Sequence, residues 1–205
     1  MIRILDFGSG NTQAFLNAYT RLGLSCGPAV NPDELDDADH IVLPGVGSFD
    51  TVMSKLHASR LLPKLEYLVL KKKIPVLGVC VGMQILADKS DEGKLPGLGW
   101  VPGVVRAFKR TEDNNAIPLP HMGWNTVRFS DHVLPSLSLA IIDPQFYYLH
   151  SYYFDAAEAS DVFGTTNYGF DFDAAVAREN IFGVQFHPEK SHGWGAGFLK
   201  FFSAV

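Results

Sequence analysis

Cysteine is scarce in this chain: Cys26 and Cys80 are the only two among 205 residues. Two thiols exclude the disulfide framework of small secreted domains, and a thiol that reacts must be kept reduced. Long apolar runs are missing too, since none approaches the roughly 20 residues of a membrane span. The opening residues Ile2 to Asp6 read as a strand rather than a secretion signal. A cytoplasmic protein is therefore the expectation. Positive charge is in deficit, with 17 Lys and Arg against 22 Asp and Glu and a net charge of −5. Lys71-Lys72-Lys73 reads as a solvated helix end, so neither nucleic acid nor a membrane is an expected partner. Neither His121 nor His150 has a metal-ligand spacing to a Cys or a second His, and no metal or cofactor is expected. Gly8-Ser9-Gly10 lacks the third glycine of a dinucleotide fingerprint. There is no internal repeat, low-complexity segment or linker, which points to one domain over residues 1–205.

What is present is ordinary globular material, 47% hydrophobic and 19% charged. The first 90 residues alternate strand and helix signals: Ile2–Leu5, a helix over Thr12–Leu22, an edge-like strand over Ser25–Val30, a buried strand over His40–Leu43, then helical stretches Phe49–Ala58 and Leu61–Lys72. This rhythm predicts a parallel doubly wound α/β sheet, whose ligands sit at the carboxyl ends of the strands. The second half carries short strand signals at Leu98–Val101, Val104–Phe108, Trp124–Phe129, Phe146–Tyr153, Val162–Asn167, Ala174–Ala177 and Ile181–Phe186. They predict an added antiparallel or mixed layer. Gly195–Phe202 reads as a closing helix with Phe198, Leu199, Phe201 and Phe202 inward, and Thr111–Asn115 as a mobile loop.

The apolar run Ile74–Leu77 leads into Gly78-Val79-Cys80-Val81-Gly82. Glycines two before and two after a cysteine fit a strand, a strained turn with the thiol at its tip, and a helix starting near Met83. The helix N-terminus beneath such a thiol favours the thiolate, its reactive form. Far downstream, Phe182 to Glu189 reads as a strand ending in His187 and Glu189, whose two-residue spacing in extended chain puts both on one face. A carboxylate there orients an imidazole, which takes the thiol proton and returns it to a leaving amine. Cys80, His187 and Glu189 are thus the candidate triad. Acyl transfer also needs oxyanion donors. The amide of Val81 is one candidate, and Pro44-Gly45-Val46-Gly47 supplies a second wall. Gln84 is placed either to meet an amide substrate or to serve a cap or core role. Glu92 reads as a substrate-ammonium partner or, from its acidic surroundings, as part of a solvated loop. His40, His57 and His132 read as structural or exposed, and His192 as a weaker competitor for the base role.

Taken together, Asp6-Phe7-Gly8-Ser9-Gly10-Asn11, Leu43-Pro44-Gly45-Val46-Gly47, Gly78 to Gln84, Pro120-His121-Met122-Gly123-Trp124-Asn125, His150-Ser151-Tyr152 and Gln185 to Ser191 resemble class I glutamine amidotransferases over nearly the whole chain. More narrowly they are similar to the glutaminase subunits of imidazole glycerol phosphate synthases. The resemblance implies a flavodoxin-like fold, a central mostly parallel sheet with helices on both faces. It implies that Cys80 attacks the side-chain amide of glutamine, forming a glutamyl thioester while His187 shuttles protons. Gly45, Gly47, Gln84, Glu92, Ser151 and Tyr152 would bind glutamine, and the Val46 peptide would be a switchable oxyanion donor. Ammonia would pass to a (β/α)8 barrel synthase of the HisF type, with Asn11, Trp124 and Lys190 facing that partner. Phe7 and Ser9 depart from the Tyr and Met usual in the first motif. The stretches Gly93 to Trp100 and Thr165 to Phe172 look like a paralogous branch that supplies ammonia for amidino sugars in surface polysaccharides. A non-catalytic regulatory subunit is the third alternative, against which the three triad residue types argue.

Overall fold

The computed structural model describes residues 1–108, 117–130 and 144–205. The loop expected at Thr111–Asn115 and His132 lie outside the described residues. Five parallel strands form one half of the main sheet: β1 (Ile2–Leu5), β2 (Cys26–Ala29), β3 (His40–Gly45), β4 (Val76–Cys80) and β13 (Ile181–Val184). Their spatial order is β2-β1-β3-β4-β13. They are apolar almost throughout, as strands covered on both faces must be. Helix α1 (Thr12–Arg21) joins β1 to β2. Helices α2 (Phe49–Ala58) and α3 (Leu62–Glu66), the latter continued by a π-turn over Tyr67–Lys71, join β3 to β4. The chain moves outward from β1 to β2 and then in the opposite direction from β3 to β4. Right-handed crossovers therefore put α1 on one face and α2–α3 on the other. The reversal lies between β1 and β3, and crevices of this fold type form at such a point.

Beyond β13 the sheet continues into the expected antiparallel and mixed strands. β12 (Asp171–Arg178) runs antiparallel to β13, followed by β10 (Tyr152–Ala156), β6 (Gly103–Ala107) and the two-residue β5 (Lys89–Ser90). β11 (Val162–Asn167) pairs with β12 and with β8 (Arg128–Phe129). A second sheet has two antiparallel strands, β7 (His121–Thr126) and β9 (Gln145–His150). The expected strand over Phe146–Tyr153 is thus split at Ser151, where the chain leaves one sheet for the other. Leu98–Val101 is not a strand. Its amides bond back to the carbonyls of Ile85, Leu86 and Ala87 and close the turn after the cysteine segment. The final helix, α5 (His192–Phe202), starts earlier than its apolar pattern suggested and buries Phe198, Leu199 and Phe202, with Phe201 half-buried. Phe198 meets Phe186, which stacks on Phe146 with ring centroids 4.0 Å apart. This aromatic block ties β9, the segment after β13 and α5 together immediately behind the candidate site.

Candidate active site

Register assembles the site. Gly45 on β3 lies opposite Cys80 on β4, and Val184 on β13 lies opposite Val79. The residues just past these strand ends therefore share one level on one sheet edge. At that edge β4 turns directly into α4 (Val81–Gln84), a single helical turn that begins at Val81, two residues earlier than the sequence suggested. Cys80 takes φ +57° and ψ −115°, a conformation L-residues rarely adopt. Glycines make the turn possible. A Cβ on Gly82 would sit 1.9 Å from the Leu43 carbonyl oxygen, and one on Gly45 would sit 2.4 Å from the Gly82 nitrogen. Real side chains never approach so closely, so strand β3 and the start of α4 pack backbone to backbone.

Cys80 lies at the floor of a cavity of about 310 Å3 whose wall includes Val46, Gly47, Val81, Gln84, Glu92, Ser151, Tyr152, His187 and Lys190. Gly45 is not on this wall; its place is beneath the turn, where its lack of a side chain lets α4 approach. Past β13, His187 is tied to β9 by its amide, which donates to the Tyr147 carbonyl (2.8 Å). Ser191 Oγ donates to the His187 carbonyl (2.6 Å) and accepts from the Tyr147 amide (3.0 Å). Glu189 does not continue an extended strand. It sits in a 3-10 turn over Pro188–Lys190, and that turn, not strand alternation, brings its carboxylate under the imidazole. His187 Nδ1–H donates to Glu189 Oε1 at 2.8 Å, with the two side chains 5% and 2% exposed. A carboxylate only accepts, so the proton belongs on Nδ1 and Nε2 is left for the cavity. Burial alone would lower the His187 pKa, but hydrogen bonding to the Cys80 and Glu189 side chains outweighs it and raises the value to about 9.

Other predicted residues acquire roles that spacing did not show. Gln84 Nε2 donates to the Tyr152 carbonyl (3.1 Å) and to Gln185 Oε1 (3.0 Å). Both amide hydrogens are committed, so Gln84 can meet a ligand only as an acceptor, through Oε1. Glu92 is half-buried within a largely exposed loop: its Oε2 accepts from the Phe49 amide (2.7 Å), capping α2 while bordering the cavity. The Val46 amide is not turned toward Cys80. It donates to Ser9 Oγ (3.3 Å), which in turn donates to the Val46 carbonyl (2.8 Å). Asn11 caps α1, its side chain accepting from the Ala14 amide (3.2 Å). Trp124 is 44% exposed and stacks on His192, which is thereby placed on the outer surface and away from the thiol. Lys190 Nζ lies 5.7 Å over the Tyr147 ring at the cavity edge. His57 is exposed and His40 half-buried beside Phe202.

Three contributors escaped the sequence reading. Gln185 is fully buried and its Nε2 points at Cys80 Sγ (3.8 Å); the Leu149 carbonyl faces the same sulfur (3.9 Å); and Ser9 grips Val46. Only Gln185 left a signal, a polar residue inside the apolar run Ile181 to Phe186. Among the described residues, no group of three or more His, Cys, Asp or Glu is arranged to hold a metal, and no helix is long and apolar enough to cross a membrane.

A cysteine on a strained strand-to-helix turn, beside a histidine held by a carboxylate, is the equipment of a thiol acyl-transfer enzyme. The glutamine amidotransferase class-I family model matches residues 3–203, and the chain belongs to that family. Its similarity to particular proteins is narrower. It is 50% identical over 207 residues to the imidazole glycerol phosphate synthase subunit HisH of Bdellovibrio bacteriovorus, and 47% identical over 205 residues to that of Leptospira interrogans, covering all of both chains in each case. Among solved structures, a glutamine amidotransferase superposes with TM-score 0.77 at 16% identity over 99% of this chain and 97% of that one. PurLQS from Thermotoga maritima does so with TM-score 0.75 at 17% identity over the same shares. At such identities these two show the fold alone.

Proposed function

We propose that this glutamine amidotransferase is the glutamine-hydrolysing subunit of an imidazole glycerol phosphate synthase. The observation that carries the chemistry is the Cys80, His187 and Glu189 arrangement at one end of the parallel sheet. In this reading the Cys80 thiolate attacks the glutamine side-chain carbonyl. The bound His187 proton passes from Nε2 to the departing ammonia, leaving a glutamyl thioester. Neutral His187 then takes a proton from water as it attacks the thioester, and glutamate leaves. Glu189 keeps the imidazole in the Nδ1–H tautomer and stabilises its charged form. The Val81 amide is an oxyanion donor, and Gly47 flanks the same space. Gln84 Oε1, Glu92, Ser151 and Tyr152 hold the rest of the substrate.

The partner half of the proposal rests on the names of the relatives and on the cavity mouth. Val46, Met122, Trp124 and Leu149 leave 46%, 65%, 44% and 40% of their surface exposed, and Met122 lies opposite Leu149 in the small sheet. Val46 and Leu149 line the cavity, and Met122 and Trp124 extend the exposed apolar surface along the small sheet, which fits a synthase barrel that receives ammonia directly. Lys190 lines the cavity, and in this reading it faces the barrel together with Trp124 and Asn11. The test is glutamate release by the chain alone and mixed with a HisF-type barrel subunit, with and without the barrel's aminoimidazole carboxamide ribonucleotide substrate. Strong stimulation that vanishes in Cys80→Ala is expected. No release under any condition would overturn the proposal, and release that ignores the barrel would remove its partner half.

A further inference from the structure

Two buried histidines have no part in the chemistry above. His121 on β7 and His150 on β9 face each other in register and are 3% and 6% exposed. His150 lines the Cys80 cavity; His121 is stacked between the rings of Tyr148 and Tyr168, with centroids 4.6 and 3.9 Å away. Their hydrogen bonds fix every proton. His150 Nδ1 lies 2.8 Å from the Tyr152 carbonyl, which can only accept, so Nδ1 carries the hydrogen. The neutral ring must then accept at Nε2, and His121 Nδ1, 2.9 Å away, must donate. His121 Nε2 is left to accept from Asn125 Nδ2 at 3.2 Å. Asn125 Nδ2 also donates to the Asn167 carbonyl (2.9 Å), while its Oδ1 accepts from the Thr126 amide, so the amide cannot be reversed without losing both bonds.

The Tyr152 carbonyl is where this line meets the site. It accepts from His150 and from Gln84, which donates in turn to Gln185, which points at the Cys80 sulfur. One carbonyl thus receives hydrogen bonds from a histidine pair on one side and from the substrate-side amide on the other. Burial lowers His121 to about 4; burial, with the charges of His121 and His187, lowers His150 to about 3 despite the Tyr152 bond. Both rings are neutral at neutral pH, as the donor sequence requires. An apolar pair would suit the surroundings better, since Phe108 and Phe172 already pack on His150.

We propose that His121 and His150 are positioning residues for glutamine hydrolysis: they hold the Tyr152 carbonyl in place, and through it they aim Gln84 Oε1 at the substrate and Gln185 Nε2 at the Cys80 sulfur. This rests on the glutaminase reading above. Size and hydrogen bonding make opposite demands here. Asn places an amide nitrogen where His carries Nδ1, so His150→Asn keeps the bond to Tyr152. Gln is nearer to His in volume, but its amide reaches only the Nε2 position, so His150→Gln loses that bond. The same holds for His121, whose donor to His150 is also Nδ1.

The experiment is glutamate release, with separate kcat and KM, by His150→Asn, His150→Gln, His121→Asn and His121→Gln in complex with the barrel partner. The rate of Cys80 alkylation by iodoacetamide is measured alongside. At each position the Asn variant is expected to exceed the Gln variant roughly fivefold or more in kcat/KM, the range of one net hydrogen bond. The Gln variants should also raise KM and alter the alkylation rate. Equal variants, or Gln variants superior to Asn, would overturn the positioning role and leave the glutaminase reading intact. Absence of turnover in the unmodified complex would overturn that reading itself. Should the variants fail to fold, imidazole 15N shifts of the unmodified protein decide: both rings are expected as Nδ1–H tautomers, and an Nε2–H tautomer in either would overturn the proposal.

Discussion

Replacing Glu189 with Gln keeps the shape of the side chain and removes its charge. The carboxylate is 2% exposed; Oε1 accepts from His187 Nδ1–H at 2.8 Å, and Oε2 is buried with no partner among the described residues. An amide must either turn its NH2 against the Nδ1 hydrogen or bury that NH2 unpaired in the place of Oε2. A hydrogen bond to a charged group contributes about 1.5–3 kcal/mol, and an unpaired buried donor costs a similar amount. If the loss falls on the imidazolium-bearing transition state, kcat/KM for glutamine drops roughly tenfold to a hundredfold. The same change removes one of the two side chains that raise His187 to about 9. The protonated ring then persists to a lower pH in the variant than in the parent protein. Steady-state glutamate release in the presence of the partner measures the first effect, and an NMR titration of the His187 Cε1 proton measures the second. A variant within twofold of the parent in kcat/KM, with an unmoved His187 titration, would refute the reasoning and reduce Glu189 to packing.

Stability should decline on both sides of neutrality. His187 has a folded pKa raised to about 9 from 6.5, so its contribution is complete below 6.5 and lost as pH rises through 9. His121 and His150 are lowered to about 4 and about 3, so the unfolded chain binds their protons first and stability falls as pH drops below 6.5. Urea denaturation from pH 4 to 10 checks both limbs, and a flat alkaline limb would contradict the His187 assignment. Gly82→Ala places a Cβ 1.9 Å from the Leu43 oxygen, where only backbone can yield; a loss of about 3 kcal/mol and a Tm lower by roughly 10 °C are expected by thermal melting. Ser9→Ala removes both hydrogen bonds that hold the Val46 peptide. It is expected to raise partner-independent glutamate release severalfold, and an unchanged basal rate would show that Ser9 does not restrain that peptide.

The chain declares its local structure and conceals its register. β1 and the core of β3 are legible as apolar runs between turn residues, and the cysteine turn as glycines at fixed offsets. Those glycines are needed because backbone meets backbone at Gly45, Gly78 and Gly82. His187 and Glu189 were found for a sound reason and an incorrect one. The pairing is real, but it comes from the extended His187 running into the 3-10 turn that Pro188 starts, which folds Glu189 back under the imidazole, and not from strand alternation. Leu98–Val101 looks like a strand because its apolar side chains are buried, yet its amides serve the carbonyls at the end of α4, which no periodicity reports. Ser9, Gln185 and the Leu149 carbonyl reach Val46 and Cys80 from elements far apart in the chain. Once the pairing of β3, β4 and β13 is known, Gln185 follows at once, since it succeeds the residue level with Val79 and so must lie beside Cys80. A candidate nucleophile can thus be picked out from its own five residues. The groups that set its reactivity become legible only when the strands on either side have been placed.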